Sequence, residues 1–278
     1  MSDNRIPFTI KVQPWFQDHS VGGRIVLPAV ETMLLLASRC LALHPKVDVR
    51  VMENVRFGKL LEIPANAVNI ATLVECAAQS DGQVHAKLLS RIQMGAMSRI
   101  KEHGEIFFSY PQETKEQSPT LDPAPLTGGT LKKIDSERLY QELVPFGPRY
   151  RTLQETLYLS NYHAWGRLKA PEVPFIDPIQ SVLGSPFPLD GAMHAACVLG
   201  QQFVGYPPFP VGFSKRHIIQ PTQPGSRYIT KVAMTSRTPD ELVFDLAIFD
   251  SEGQVYETVT GIRMRDVRKA MKKQVPIE

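Results

Sequence analysis

His19-Ser20-Val21-Gly22-Gly23-Arg24-Ile25-Val26-Leu27-Pro28 runs directly into the apolar segment Ala29 to Leu43, and this pairing decides how the chain folds. Gly22 and Gly23 permit backbone angles closed to other residues. Pro28 sits where a first helical turn accepts proline. From Ala29 to Leu43 the residues are good helix formers and apolar almost all round, interrupted by Glu31 and Arg39. That pattern predicts a buried helix rather than a surface one. His44-Pro45 ends it.

Working outward, the pattern changes to strands. A short strand is expected at 7–12, before the His19 loop. Segments 47–63, 67–77, 83–92 and 105–110 carry β-branched or alternating apolar residues, with turn chemistry at Pro64-Ala65-Asn66 and Ser80-Asp81-Gly82. A Pro-, Thr-, Ser- and Gly-rich stretch, 113–130, reads as a linker crossing the surface. Beyond it come a helical segment at 136–144, the turn Phe146-Gly147-Pro148-Arg149-Tyr150, strands at 153–159 and 164–169, and a Pro-rich loop over 171–188. A second apolar helix spans 191–204, opened by Leu189-Asp190, and strands follow at 212–219, 227–236, 241–249 and 254–264. The order loop, buried helix, antiparallel strands thus occurs twice. It predicts two similar subdomains, 1–112 and 131–278, in an α+β fold with a sheet curled around one helix in each.

Composition bounds the function. The 278 residues are 43% hydrophobic and 21% charged, as a packed globular protein should be. A formal net charge of +3 is too small to argue for nucleic acid. It suits a weakly basic face for an acidic partner or a phosphate handle. Cys40, Cys76 and Cys197 are scattered, which predicts reduced thiols and no disulfide framework. The first residues lack an apolar signal segment, and the longest apolar run is too short to cross a bilayer, so a cytoplasmic protein with no membrane partner is expected. No HExxH, CxxC or phosphate-cradling Gly loop is present, so neither a metal nor a nucleotide cofactor is expected. The basic tail, with Arg268, Lys269, Lys272 and Lys273, reads as a solvated helix end or as a docking face for an acidic carrier.

Three places could carry chemistry. His19 is either a loop histidine bonded to the backbone or a base near its intrinsic pKa, set beside unpaired N–H groups at a helix start that could polarise a carbonyl oxygen. Asp190 is either the N-cap of an apolar helix or a carboxyl group in an apolar pocket, whose desolvation would let it donate a proton. His194, four residues on, shares its helix face and is either a satisfied core histidine or the group that holds Asp190 in place. Phe146 to Tyr150 is, as pure physics, a turn made rigid by Pro148 with aromatic packing on either side.

Taken in order, these segments resemble the motifs of polyketide synthase dehydratase domains. His19-x-x-x-Gly23-x-x-x-x-Pro28 resembles their HxxxGxxxxP motif, and Asp190-x-x-x-His194, with Pro186 ahead of it, resembles their DxxxQ/H motif. Phe146-Gly147-Pro148-x-Tyr150, followed by Leu153, resembles their YGPxF segment, with Phe146 where Tyr is usual and Tyr150 where Phe is usual. Phe209-Pro210 is faintly similar to their proline–aromatic segment. The resemblance covers nearly the whole chain and implies a double-hotdog fold. It implies removal of water from a 3-hydroxyacyl thioester on an acyl carrier protein, with His19 taking the α proton and Asp190 protonating the leaving hydroxyl. It also implies the Gly23 N–H on the thioester oxygen, Pro28 in support, His194 orienting Asp190, and Phe146, Gly147, Pro148 and Tyr150 at the substrate pocket. The implied partners are an acyl carrier protein and polyketide or fatty acid synthase components, with the chain as a discrete enzyme or an excised domain, and a homodimer favoured. No cofactor is implied beyond the carrier's phosphopantetheine. Two other readings remain open: a product-template-like aldol cyclase, which needs a deep and wide pocket, and a non-catalytic acyl-binding module.

Overall fold

A computed structural model describes residues 5–94, 97–111, 119–127 and 131–267. The first half comprises β1 (Ile6–Lys11), the small hairpin β2 (Ser20–Val21) and β3 (Arg24–Ile25), helix α1 (Ala29–Leu43), and strands β4 (Asp48–Phe57), β5 (Asn69–Ala78), β6 (Gln83–Met94) and β7 (Met97–Ser109). The second half comprises β8 (Lys132–Asp135), α2 (Ser136–Arg138), β9 (Leu153–Leu159), β10 (His163–Lys169), α3 (Gln180–Leu183), α4 (Phe187–Gly200), β11 (Phe209–Ile218), β12 (Arg227–Arg237), β13 (Leu242–Phe249) and β14 (Val255–Arg265).

The expectation of two separate sheets is corrected. All strands except β2 and β3 join one antiparallel sheet of twelve strands, in the order β1-β5-β6-β7-β4-β11-β14-β13-β12-β10-β9-β8. The joint is β4 against β11, in register at Val55 with Phe213 and at Met52 with Arg216. Each half of the sheet still has its own helix. α1 packs on β4 to β7, and α4 packs on β9, β10, β12 and β13.

The helices reach the sheet by different means. α1 buries Val30, Met33, Leu34, Leu36, Ala37 and Cys40. It comes close to β7 because Gly104 has no side chain, since a Cβ there would strike Thr32 Cγ2. α4 is buried along its whole length, and Gly191, Ala192, Ala195 and Ala196 let strands approach from several sides. Each fully buried Leu or Phe in such a core contributes roughly 1.5–3 kcal/mol relative to exposure.

Two local corrections matter for the site. Gly22 and Gly23, at φ 59° and 77°, form the two-residue tip of the β2–β3 hairpin, and α1 begins only at Ala29 with Pro28 as its N-cap. Gly23 is therefore not at a helix start. α4 begins at Phe187, with Pro186 as N-cap, so Asp190 lies inside its first turn instead of capping it. Prolines at 186 and 188 suit the start of a helix, where the missing N–H costs nothing.

Of the expected linker, residues 113–118 and 128–130 lie outside the described residues, as does the basic tail from 268 onward. The described part lies on the second half. Leu121 N bonds to Gly253 O at 2.8 Å, Lys231 Nζ to Asp122 O at 2.6 Å, and Trp165 Nε1 to Pro123 O at 3.2 Å.

Candidate active site

His19 is held by its backbone. A tight turn, Pro14–Asp18, ends at His19, whose N–H donates to Phe16 O at 3.1 Å. The hairpin then doubles back, and Val26 N–H donates to His19 O at 3.1 Å. The positive φ angles of Gly22 and Gly23 make this reversal possible, so the glycines act by seating His19. Gly23 itself is exposed at the hairpin tip and does not line the cavity described below.

The segment from Phe146 to Tyr150 locks onto the same loop. Gly147 N–H donates to Asp18 O at 2.7 Å, and Arg149 N–H donates to the Asp18 carboxylate at 3.0 Å. Only glycine fits at 147, because a Cβ would run into the Asp18 side chain. The result is an aromatic stack. The Phe146 ring stacks with His19 at 4.5 Å and with His194 at 4.9 Å. Tyr150 meets the His19 ring edge-on at 5.1 Å. Of the four residues expected at the pocket, Phe146 lines it. Gly147, Pro148 and Tyr150 do not, and Tyr150 is fully buried behind His19.

Asp190 and His194 stand one turn apart on α4, both buried. His194 Nε2 lies 2.9 Å from Asp190 Oδ2, a charge-pair distance, but the two atoms are not aligned for a hydrogen bond. On its other side, His194 Nδ1 is 3.3 Å from Tyr140 Oη, which accepts the Leu153 N–H at 2.9 Å. Close contact between α4 and the start of β9 is possible because residue 191 is glycine, which lies against Thr152.

His19, Asp190 and His194 face one cavity of about 310 Å³. Its wall is mostly apolar: Leu27 from the first half, Met193 and Cys197 from α4, and Phe209 and Pro210 from β11. Lys59 and Arg265 stand at the exposed rim. Pro28 supports the entry to α1 and is not part of the lining. Burial lowers the pKa of His19 below its usual value, and the nearby Asp190 carboxylate only partly opposes this. The imidazole is accordingly neutral at physiological pH. Burial also pushes the Cys197 thiol up to about 12, so it stays protonated. His103, at the cavity edge, is a structural group: its Nδ1 bonds to Lys59 O and its Nε2 to Ser90 Oγ, both at 2.7 Å.

Sequence reasoning missed Tyr140 and Cys197 as site residues, and reaches Met193 only as an apolar neighbour of Asp190. The last two were open to a helical-wheel reading, because positions 190, 193/194 and 197 share one helix face. Tyr140 carried no such signal. Its hydroxyl reaches His194 only because the chain winds in a wide helical turn over Leu139–Leu143.

Comparison with known proteins bears on the family and the fold. Residues 118–274 match the family model of the polyketide synthase dehydratase N-terminal domain. No curated protein matches by sequence. Among solved structures, the dehydratase domain of RzxB from Pseudomonas fluorescens superposes with a TM-score of 0.73 at 18% identity, covering 93% of this chain and 94% of that one. A trans-AT polyketide synthase dehydratase domain from Brevibacillus brevis gives 0.72 at 17% identity, covering 94% and 93%. The bifunctional dehydratase–cyclase domain of ambruticin biosynthesis gives 0.65 at 18% identity, covering 93% and 90%. With more than half of its length matched by that family model, the chain belongs to the polyketide synthase dehydratase family.

Proposed function

We propose that this protein dehydrates a 3-hydroxyacyl thioester, carried on the phosphopantetheine of an acyl carrier protein, to the 2-enoyl thioester. The two halves act as paired hotdog units, each supplying one proton-transfer residue. The supporting observation is that His19 from the first half and Asp190 from the second face a single, largely apolar cavity.

In this reading neutral His19 removes the α proton. As the carbon–carbon double bond forms and the C3–O bond breaks, Asp190 gives its proton to the departing hydroxyl, which leaves as water. His194 positions Asp190. Because Tyr140 Oη already accepts the Leu153 N–H, its own proton is available to His194 Nδ1. The Nε2 of His194 then faces the Asp190 carboxyl, 2.9 Å away. Phe146, stacked with both imidazoles, fixes their spacing and supplies no hydroxyl. The Gly23 N–H, exposed at its hairpin tip, is not assigned to the thioester oxygen.

A cavity of about 310 Å³ is at the lower end of the roughly 300–1,000 Å³ typical of ligand pockets. That favours one extended acyl chain over the folded poly-β-ketone a cyclase must enclose. The test is mass spectrometry of a 3-hydroxyacyl carrier protein incubated with the protein, with hydration of the enoyl thioester as the reverse reaction. Loss or gain of one water is expected. His19→Ala and Asp190→Asn should each lower the rate by about 10²–10⁴-fold while the far-UV spectrum is unchanged. A near-wild-type rate in either variant would remove that residue from its role. No exchange of water on any chain length would refute the dehydratase reading.

A further inference from the structure

A second buried acidic group, which the reaction does not use, lies on α1 outside the cavity lining. Glu31 is in the first turn of α1 and only 7% exposed. Its Oε1 accepts the Trp15 indole N–H at 3.0 Å. Trp15 belongs to the tight turn that ends at His19, so this bond ties that turn to α1. The Trp15 ring meets Phe187, the first residue of α4, at 6.4 Å, and Phe187 packs on Tyr150 at 5.2 Å. Tyr150 closes the circuit by its edge-on contact with His19. The Tyr150 hydroxyl is buried with no hydrogen-bond partner among the described residues, and Glu31 is the charged group with the strongest influence on it.

We infer that Glu31 is a positioning residue for His19. Through Trp15 it fixes the turn that carries the imidazole. This inference rests on the dehydratase reading for its kinetic part and on the Trp15–Glu31 contact alone for its spectroscopic part.

The electrostatics give the inference a sign. Glu31 bonds to the turn bearing Trp15 and feels the charge of Asp190 on α4, and Tyr150 feels the charge of Glu31. The titratable groups facing the cluster are Tyr150, Asp190, Asp18 and His19. Burial first, and repulsion from Asp190 after it, raise the Glu31 carboxyl to about 7, with the Trp15 bond opposing. Glu31 is therefore neutral below pH 7 and negative above it. A carboxylate accepts the Trp15 N–H more strongly than a neutral carboxyl group does, so the tie on the turn that carries His19 tightens as Glu31 ionises.

The experiment uses the full chain with Trp165→Phe, which leaves Trp15 as the only tryptophan. Its indole fluorescence should titrate with a midpoint near pH 7, and Glu31→Gln should abolish that step while keeping an acceptor for the indole N–H. In parallel, kcat/KM for hydration of an enoyl thioester should rise about three- to tenfold through pH 7 in the parent. In Glu31→Gln this limb should vanish while KM stays the same. Trp15→Phe, which removes the donor but keeps a ring, should lower kcat at every pH. A fluorescence titration unchanged by Glu31→Gln would overturn the inference, as would an unchanged pH limb in an active variant. If the fluorescence step behaves as expected and no hydration occurs in the parent, the Glu31–Trp15 coupling stands and the dehydratase reading fails.

Discussion

At the scale of single residues, burial sets opposite pH demands on neighbouring groups. The pKa values of His19 and His103 are both lowered, desolvation being the main cause in each. Below pH 6.5 the unfolded chain binds protons that the folded chain refuses, so these two histidines cost stability as the pH falls through 6.5. Glu31 acts in the other sense. Its folded pKa is raised from 4.5 to about 7, so the folded chain holds a proton that the unfolded chain releases between those values. Its contribution is full below pH 4.5 and is lost as the pH rises to 7. That loss is about 3 kcal/mol as an order of magnitude. Glu31→Gln cannot titrate. Its midpoint in urea, compared with the parent's, should therefore shift upward from pH 5 to pH 8. A constant difference across that range would show that Glu31 is ionised in the folded state throughout. None of this was legible in the sequence, where Glu31 appeared only as an interruption of an apolar run. Its partner Trp15 is sixteen residues away and on a different element.

At the scale of elements, close approach decides function. α4 presents Asp190 and His194 to the cavity because its first turn lies tight against Thr152 and Leu168, and Gly191 makes that possible. Gly191→Ala would improve helix propensity by about 1 kcal/mol. The added methyl group would nevertheless be driven into Thr152 Oγ1, and overpacking of this kind costs typically about 1–3 kcal/mol. We expect net destabilisation by denaturant titration and a drop in activity larger than the stability change explains, because the shift falls beside Asp190. Thr152→Ala should recover part of both. A Gly191→Ala variant as stable and active as the parent would mean that α4 has slack at this point. The helix itself was readable from its apolar composition, but its start was read four residues late. Prolines 186 and 188 look like loop residues unless their tolerance in a first helical turn is considered. The same error made Asp190 look like a cap. β7 was also read short, from 105 instead of Met97, because its outer stretch is polar and pairs only with β6.

At the scale of the whole molecule, the seam between the halves carries the most deeply buried ion pair among the described residues. The repeated order of loop, helix and strands was visible in the sequence. The fusion of the strands into one sheet was not, because the pairing of β4 with β11 joins distant segments and leaves no local periodic trace. At that seam Arg216, 2% exposed, forms a two-point ion pair with Glu257 at 2.8 and 3.0 Å. Its guanidinium also touches the sulfurs of Met33 on α1 and Met52 on β4 at 3.9 and 3.8 Å. Arginine therefore stands where four elements meet: α1, β4, β11 and β14. Removing one partner leaves a buried charge unpaired, which costs about 3–5 kcal/mol, whereas replacing both with apolar residues of similar volume is often neutral. Arg216→Met alone should lower the unfolding midpoint sharply and loosen the first half against the second. Arg216→Met with Glu257→Leu should restore most of the stability. The double-mutant cycle, followed by calorimetry, should thus show a coupling of several kcal/mol. Additive losses would instead mean that the two side chains act independently, and that the two halves owe their alignment to the continuous ladder between β4 and β11 more than to this ion pair.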